Sequence, residues 1–151
     1  MEVEKIIRAY LSGVVHMSLA TSADDKPWIC EVHYVYDDSL NFYFLSKPSR
    51  RHSQEIEQNP NVAGNIIKQH GPKDKPQGVY FEGTAELMDP SNKNELTYEL
   101  YDKRFGLSEG MRKEIRTDPA GHKFYMINPV KFVLFDTVNF PDNSRQEWKP
   151  T

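Results

Sequence analysis

A basic segment in the first half of the chain carries the residues best suited to anion chemistry. The run from Ser46 to Ser53 joins a predicted strand to a predicted helix and contains Lys47, Arg50, Arg51 and His52. Cations are unfavourable in the first turn of a helix, because the macrodipole already places about +0.5 charge there. A bound anion removes that conflict, since free N–H groups, hydroxyls and guanidinium groups converge on it. The segment therefore predicts a phosphate site, with a solvated basic turn as the alternative.

Other polar residues suggest weaker possibilities. Glu31 and His33 lie in the middle of a predicted strand, where they face solvent, a pocket or a subunit interface. The five histidines are scattered without the spacing of a metal site, so no metal is expected. Cys30 is the single cysteine and falls on an apolar strand face, so we expect a buried small residue rather than a nucleophile. No glycine-rich phosphate loop is present.

The elements that position these residues are mainly strands. Apolar residues at helical spacing predict a helix over residues 2–12, and period-two alternation then takes over. The predicted strands cover residues 14–22, 28–36, 40–45, 61–68, 77–88 and 122–138. A helix over residues 49–58 follows the third strand with Ser49 as its N-cap, and inserted helices span residues 89–116 from a start at Asp89-Pro90. Residues 139–151 are predicted to form a polar tail.

The length and the order of elements define the fold class. The chain has 151 residues, and at about 150 residues per domain it forms one domain over residues 1–151. About six strands joined by short turns, without a βαβ rhythm, predict a mainly β (α+β) fold. We expect a six-stranded antiparallel barrel whose core spans residues 14–88 and 122–138, with short flanking helices.

Composition excludes several classes of protein. The net charge is -3 and the isoelectric point is about 5.9, which gives no electrostatic footprint for nucleic acid. The longest apolar runs are four residues, whereas a membrane helix needs about 20, so no membrane span is expected. Aromatic residues are 12% of the chain, which argues against disorder. The acidic N-terminus lacks a signal sequence, so we expect a cytoplasmic protein.

Seven short segments, taken in order, resemble the pyridoxamine 5'-phosphate oxidase-like, FMN-binding split-barrel superfamily. They are Met17-Ser18-Leu19-Ala20-Thr21, Lys26-Pro27-Trp28, Tyr36-Asp37, Phe42-Tyr43-Phe44-Leu45-Ser46, Arg51-His52, Asn59-Pro60-Asn61-Val62-Ala63 and Val79-Tyr80-Phe81-Glu82-Gly83-Thr84-Ala85-Glu86. The carboxyl half, including Tyr101-Asp102-Lys103-Arg104-Phe105, looks like the small, uncharacterised bacterial members of that superfamily.

The resemblance implies a split barrel that forms a homodimer and holds FMN in a groove at the subunit interface. By position, the cofactor-binding residues would be Val32, His33 and Tyr34 along the flavin, Leu45 and Ser46 at the end of the third strand, Arg50, Arg51 and His52 at the phosphate, and Gln77 at the ring edge. The catalytic residues stay unassigned. Aromatic residues such as Trp28, Tyr34, Tyr80 and Phe81 would be only partly buried in one chain and covered in the dimer.

Departures from the superfamily pattern separate this chain from the true oxidases. Their phosphate-binding arginine on the second strand is Cys30 here, and their following lysine is Val35. Their carboxyl-terminal Arg-x-His-Asp-Arg motif is missing, which argues against pyridoxamine phosphate oxidation.

The leading hypothesis is therefore an FMN-dependent oxidoreductase of unknown substrate, with a nicotinamide or another small molecule as its partner in electron transfer. The alternatives are a non-catalytic module that binds a flavin, haem or the deazaflavin F420, or a scaffold dimer that has lost its cofactor. F420 ranks below FMN because the basic residues are confined to positions 47–52.

Overall fold

The strands form one curled antiparallel sheet in the computed structural model, which describes residues 2–89 and 95–151. The strands are β1 His16–Ala23, β2 Lys26–His33, β3 Val35–Tyr36, β4 Phe42–Ser46, β5 Asn61–Ile66, β6 Gln77–Leu87, β7 Lys123–Asp136 and β8 Arg145–Trp148. The helices within the described ranges are α1 Glu2–Gly13, α2 Arg51–Gln58, α3 Glu95–Phe105 and α4 Glu109–Thr117. None of these helices is long and apolar enough to cross a membrane.

A bend at Tyr34 explains how the sheet closes. The strand order is β2-β1-β5-β6-β7-β4-β3, with β8 added to β7. The two strands at the ends of this path, β2 and β3, are consecutive in the chain and separated only by Tyr34. One continuous stretch of chain thus pairs with β1 through its first part and with β4 through its second part. The sheet therefore curls round on itself, and the fold is a mainly β (α+β) split barrel.

The described residues form eight strands, whereas six were predicted. The single strand expected over residues 28–36 is divided at Tyr34, where the consecutive residues Tyr34 and Val35 are both buried. The tail, predicted to be only polar, contains β8, whose Trp148 packs against Phe132 with ring centroids 5.6 Å apart. Of the helix start predicted at Asp89-Pro90, Pro90 lies outside the described residues.

The barrel interior is filled largely by aromatic rings. Phe42 is fully buried, and its ring centroid lies 5.1 Å from that of Phe81 and 6.0 Å from that of Phe132. Tyr34 is 0% exposed and Phe81 is 4% exposed, so the prediction that one chain leaves these two rings partly exposed is wrong. Their positions face the barrel interior, where one chain suffices to cover them. Trp28 and Tyr80, at 43% and 39%, are exposed as predicted.

The β6–β7 pairing shows why Pro129 does not end strand β7. Pro129 cannot donate a ladder hydrogen bond. The register shifts between Glu82 and Gly83, and Gly83 then pairs with Pro129. A Cβ atom at Gly83 would clash with the Asn128 carbonyl oxygen, so the close approach of the two strands requires glycine. Strand β7 therefore continues past its proline.

Asp136 holds the end of β7 to the start of β6. Its side chain is fully buried and accepts hydrogen bonds from Gln77 Nε2 at 3.0 Å and Asn139 Nδ2 at 2.6 Å. The N–H groups of Val138 and Asn139 also donate to it, each at 2.9 Å. Burial raises the pKa of this carboxyl, but the hydrogen bonds from Asn139, Gln77 and Val138 outweigh burial and hold the pKa below its ordinary value.

Replacing Asp136 by asparagine is expected to reduce the acid sensitivity of the fold. A depressed pKa adds stability that is fully present above about pH 4, where an unfolded aspartate titrates, and is lost as pH falls through the lower folded pKa. At neutral pH we expect Asp136→Asn to lower the free energy of unfolding by about 1–2 kcal/mol, since hydrogen bonds to a charged acceptor are lost. Urea unfolding between neutral pH and pH 2 measures both effects. The exposed Asp142→Asn is the control, and an unchanged pH slope in Asp136→Asn would contradict the assignment.

Candidate functional site

The N-terminus of α2 presents free hydrogen-bond donors. Arg50 occupies the N-cap position with extended backbone, and no side chain caps the helix, so the predicted N-cap role of Ser49 is wrong. The first backbone bond of the helix runs from Gln54 N–H to the Arg50 carbonyl. The N–H groups of Arg51, His52 and Ser53 consequently have no backbone acceptor within the described residues. An uncapped helix start of this kind is a ready anion-binding site.

Two arginines stand beside these donors in different states. The Arg50 side chain is exposed and joins no ion pair in the described part of the chain. The Arg51 guanidinium lies over the Trp28 ring, 4.1 Å from its centroid, and its Nε atom is 3.4 Å from Glu55 Oε2. Glu55 is buried and also accepts a hydrogen bond from Thr21 Oγ1 at 2.9 Å. Arg51 is thus held in place and partly neutralised, whereas the charge of Arg50 is available.

His52 contributes a hydrogen-bonding group rather than a positive charge. Its Nε2 atom lies 2.6 Å from the Oγ atom of Ser46, the buried last residue of β4. Burial, followed by the positive charge of Arg50, lowers the pKa of His52, and Glu55 opposes this change. The lowered pKa favours the neutral imidazole. The structure therefore brings Ser46, Arg50, Arg51 and His52 together at one helix end.

The strand segment predicted to lie along the flavin presents one side chain to solvent. Val32 and Tyr34 are buried, whereas His33 is exposed. The His33 ring stacks on the Phe105 ring of α3, with centroids 4.8 Å apart and planes 14° apart. An open cleft of about 420 Å³ borders this segment and is also lined by Glu31. Val32 lines this cleft together with His33, whereas the fully buried side chain of Tyr34 does not reach it.

Arg104 fixes this strand segment, although the sequence did not predict a role for it. Its guanidinium donates to the carbonyl oxygens of Leu11 and Val14, each at 2.8 Å, and to that of Tyr34 at 3.2 Å. It also lies over the Tyr34 ring, 4.8 Å from the centroid. One residue of α3 thus binds the end of α1 and the bend between β2 and β3. In the sequence, Arg104 is marked only by its place in the Tyr101–Phe105 segment, which was part of the family resemblance.

Gln77 lies apart from the uncapped helix end, whereas Leu45 is next to Ser46 in the chain and contacts a different group of side chains. Leu45 packs against the small apolar cluster around Tyr98 and Phe124. Gln77 pairs with Asp136 at the end of β7, whereas Ser46 pairs with the first residue of β7. Gln77 and the basic residues are therefore at opposite ends of the same long strand, and one chain does not bring them together.

Nucleophile and metal chemistry receive little support from the remaining residues. Burial raises the pKa of the Cys30 thiol to about 11, with the Glu31 carboxylate acting in the same direction, so the thiol is protonated at neutral pH. Across residues 2–89 and 95–151, no group of three histidine, cysteine or acidic side chains is arranged to hold a metal ion.

Comparisons with known proteins support the fold and a family. A family model described as pyridoxamine 5'-phosphate oxidase matches residues 3–135. A UPF0306 protein from Klebsiella pneumoniae (strain 342) is 30% identical over 122 residues, covering 78% of this chain and 82% of that protein.

Solved structures give the same fold at lower identity. General Stress Protein 26 from Bacillus anthracis str. Sterne matches with a TM-score of 0.68 and 20% identity, covering 99% of both chains. A FAD-binding protein from Mesorhizobium loti matches with a TM-score of 0.65 and 19% identity, covering 85% of this chain and 89% of that one. HutZ, the heme storage protein from Vibrio cholerae, matches with a TM-score of 0.63 and 20% identity, covering 83% and 89%.

Proposed function

Since the chain belongs to the pyridoxamine 5'-phosphate oxidase family, we propose that it is an FMN-binding flavoprotein that acts as an oxidoreductase on a small molecule. The observation that carries this proposal is the uncapped N-terminus of α2, where three free N–H groups meet Arg50 and Arg51. A phosphate monoester satisfies these donors and the unpaired guanidinium of Arg50. The FAD-binding protein of the same fold supports a flavin as the ligand class.

The chain's own residues would hold and orient the cofactor. FMN, when bound, supplies the redox chemistry. Arg50 would bind the phosphate as a charge, Arg51 would present its guanidinium from a position fixed by Trp28, and His52 would donate a hydrogen bond while Ser46 holds its ring. The stacked rings of His33 and Phe105 would border the flavin on the strand side. These residues fit the phosphate end of FMN well.

Pyridoxamine phosphate is not part of this proposal. Val35 replaces the oxidases' lysine and is 2% exposed in β3, so neither its chemistry nor its position suits an anionic substrate. The thiol of Cys30 is protonated at neutral pH and carries no positive charge. The substrate of the proposed oxidoreductase therefore differs from that of the true oxidases.

A homodimer would complete the site. Gln77 lies far from the phosphate-binding residues within one chain, so it would reach a flavin only from a second copy. Trp28 and Tyr80 are exposed, and rings of this size are enriched at subunit interfaces. We expect sedimentation equilibrium to give twice the 17.6 kDa mass of the chain. A monomer at micromolar concentration would contradict the shared site.

Calorimetric titration with FMN, alongside the absorbance spectrum of the purified protein, tests the proposal. We expect flavin absorbance that stays with the protein on gel filtration, or saturable FMN binding to protein purified without it. Reduction of the bound flavin by NADH or NADPH would support an enzyme, and a flavin that no donor reduces would support a binding module. No heat of binding at high micromolar protein would refute FMN binding.

Haem binding is the second candidate, and the exposed His33 ring favours it. Imidazole is a common axial ligand of haem iron, and His33 stands at the edge of an open cleft. HutZ, a heme storage protein, shares the fold. A Soret band on addition of haem that His33→Ala abolishes would support this candidate, and a band that the variant retains would exclude His33 as the ligand.

A further inference from the structure

The face of α2 opposite Arg51 borders a groove that the proposed flavin site does not use. This groove, the α2–β6 groove, runs between α2 and the end of β6, where its main cavity measures about 360 Å³. A second cavity of about 310 Å³ shares Pro60, Ala85 and Glu86 with the first. The combined volume suits a small organic molecule, since ligand pockets span about 300–1,000 Å³.

A buried hydroxyl in the wall of the groove lacks a proper partner. Ser53 is 3% exposed, and its Oγ atom makes no hydrogen bond of normal geometry within the described residues. Burial raises the pKa of the Tyr125 phenol, and the nearby Ser53 side chain lowers it in part. Both residues line the groove, and the Ser53 Oγ atom is buried in its wall. Buried polar groups are normally satisfied, so this pair is suited to a ligand with a hydrogen-bonding head.

Two carboxylates line the groove without a cation. Glu57 and Glu86 are exposed, and neither joins an ion pair in the described part of the chain. Their nearest counterparts along the chain are both paired, Glu55 with Arg51 and Glu82 with Lys131. Glu57 is close enough to raise the pKa of Tyr125 further. The electrostatic environment of the groove therefore favours a positive ligand and disfavours an anion.

Apolar side chains form the rest of the wall. Ile56 and Ala85 belong to the barrel core and present a dry surface. Leu87 lines the same cavity but is 49% exposed, which is unusual for a leucine at the end of a barrel strand. A ring or an alkyl chain lying in the groove would cover it. The groove thus combines an apolar body with an acidic, hydroxyl-lined environment.

We propose that the α2–β6 groove binds a small organic monocation, an amine that carries an aromatic or aliphatic body. The ammonium group pairs with the carboxylates of Glu57 and Glu86, which join no ion pair in the described part of the chain. The apolar body of the ligand covers Leu87. The groove uses the side chain of Ser53 rather than its N–H group, and none of its other lining residues belongs to the proposed flavin site, so it requires neither FMN nor a dimer.

Two-dimensional amide NMR of the flavin-free protein tests this site with three matched probes. Benzylamine, benzyl alcohol and benzoate share a ring but differ in charge. We expect benzylamine to shift the amide signals of Ser53, Ala85 and Tyr125 in a saturable manner. We expect benzyl alcohol to bind at least fivefold more weakly and benzoate to leave these signals unchanged. Equal shifts from all three probes, or shifts confined to other residues, would overturn the proposal.

Charge-neutral variants separate the groove from general attraction to an acidic protein. The double variant Glu57→Gln/Glu86→Gln should weaken benzylamine binding about tenfold. Glu82→Gln lies on the same strand as Glu86 but outside the groove, and it removes one negative charge, as Glu86→Gln alone does. It should leave the affinity unchanged, whereas Glu86→Gln should weaken binding. An unchanged dissociation constant in the double variant, or equal weakening by Glu82→Gln, would overturn the assignment.

Discussion

Arg104→Met is expected to lower the free energy of unfolding by about 3 kcal/mol, because hydrogen bonds from a charged donor contribute about 1.5–3 kcal/mol each and are not additive. The guanidinium donates to three carbonyl groups, those of Leu11, Val14 and Tyr34. Methionine keeps much of the apolar contact with the rings but leaves the carbonyls without this donor. The measurement is urea unfolding followed by circular dichroism, with the midpoint and the slope fitted separately.

Arg112→Met provides the matched control for Arg104. Arg112 lies on α4, stands over the Tyr98 ring at 5.7 Å and pairs with Asp102 at 3.6 Å, but among the described residues it donates to no carbonyl group. Its replacement should cost less than about 1 kcal/mol, the usual range for an exposed ion pair. A similar loss of stability in both variants would show that the three hydrogen bonds of Arg104 to carbonyl groups add nothing to the stability that an ordinary arginine provides.

Arg50→Ala should weaken FMN binding about tenfold, and Arg50→Ala/Arg51→Ala about 30- to 100-fold, on the scale of 1.4 kcal/mol for each factor of ten. Arg50 has the larger single effect because its charge is unpaired, whereas Glu55 already neutralises part of Arg51. Calorimetry with FMN measures each dissociation constant. The folded fraction of each variant is checked by circular dichroism, since Arg51 also packs on Trp28.

Arg116→Ala controls for the loss of a positive charge. Arg116 of α4 is exposed and pairs with Glu95 of α3 at 3.5 Å, so like Arg51 it is a cation with an acidic partner. It should leave FMN affinity unchanged. If Arg116→Ala weakens binding as much as Arg50→Ala does, the phosphate is attracted by net charge alone and the uncapped helix end is not its site.

Much of the fold follows from local patterns in the sequence. Alternation placed Val79, Phe81 and Ala85 on one face of β6, and these residues are buried in the barrel. The bend at Tyr34 was not predictable in this way, because the consecutive apolar residues Tyr34 and Val35 also fit a straight strand that is buried on both faces. Strand β8 was missed because Trp148 stands nearly alone in a polar segment, and only Phe132 across the sheet explains it.

The candidate site was predictable where it depends on adjacent residues. The concentration of Arg50, Arg51 and His52 at a helix start is visible in the sequence, and the structure adds that no side chain caps this helix. The ring of Tyr34, by contrast, is buried by contacts with Arg104 and α1, which lie far away in the chain. Long-range contacts of this kind decide which side chains reach solvent, and local sequence patterns do not predict them.

A comparison of FMN with riboflavin on the unmodified protein tests the central claim most directly. The two ligands share the flavin ring and the ribityl chain, and only FMN carries the phosphate. If the N-terminus of α2 holds that phosphate, FMN should bind at least about tenfold more tightly, a difference of about 1.4 kcal/mol. In Arg50→Ala/Arg51→Ala, the ratio of the riboflavin dissociation constant to the FMN dissociation constant should fall towards one. Equal affinity for FMN and riboflavin in the unmodified protein would contradict the account.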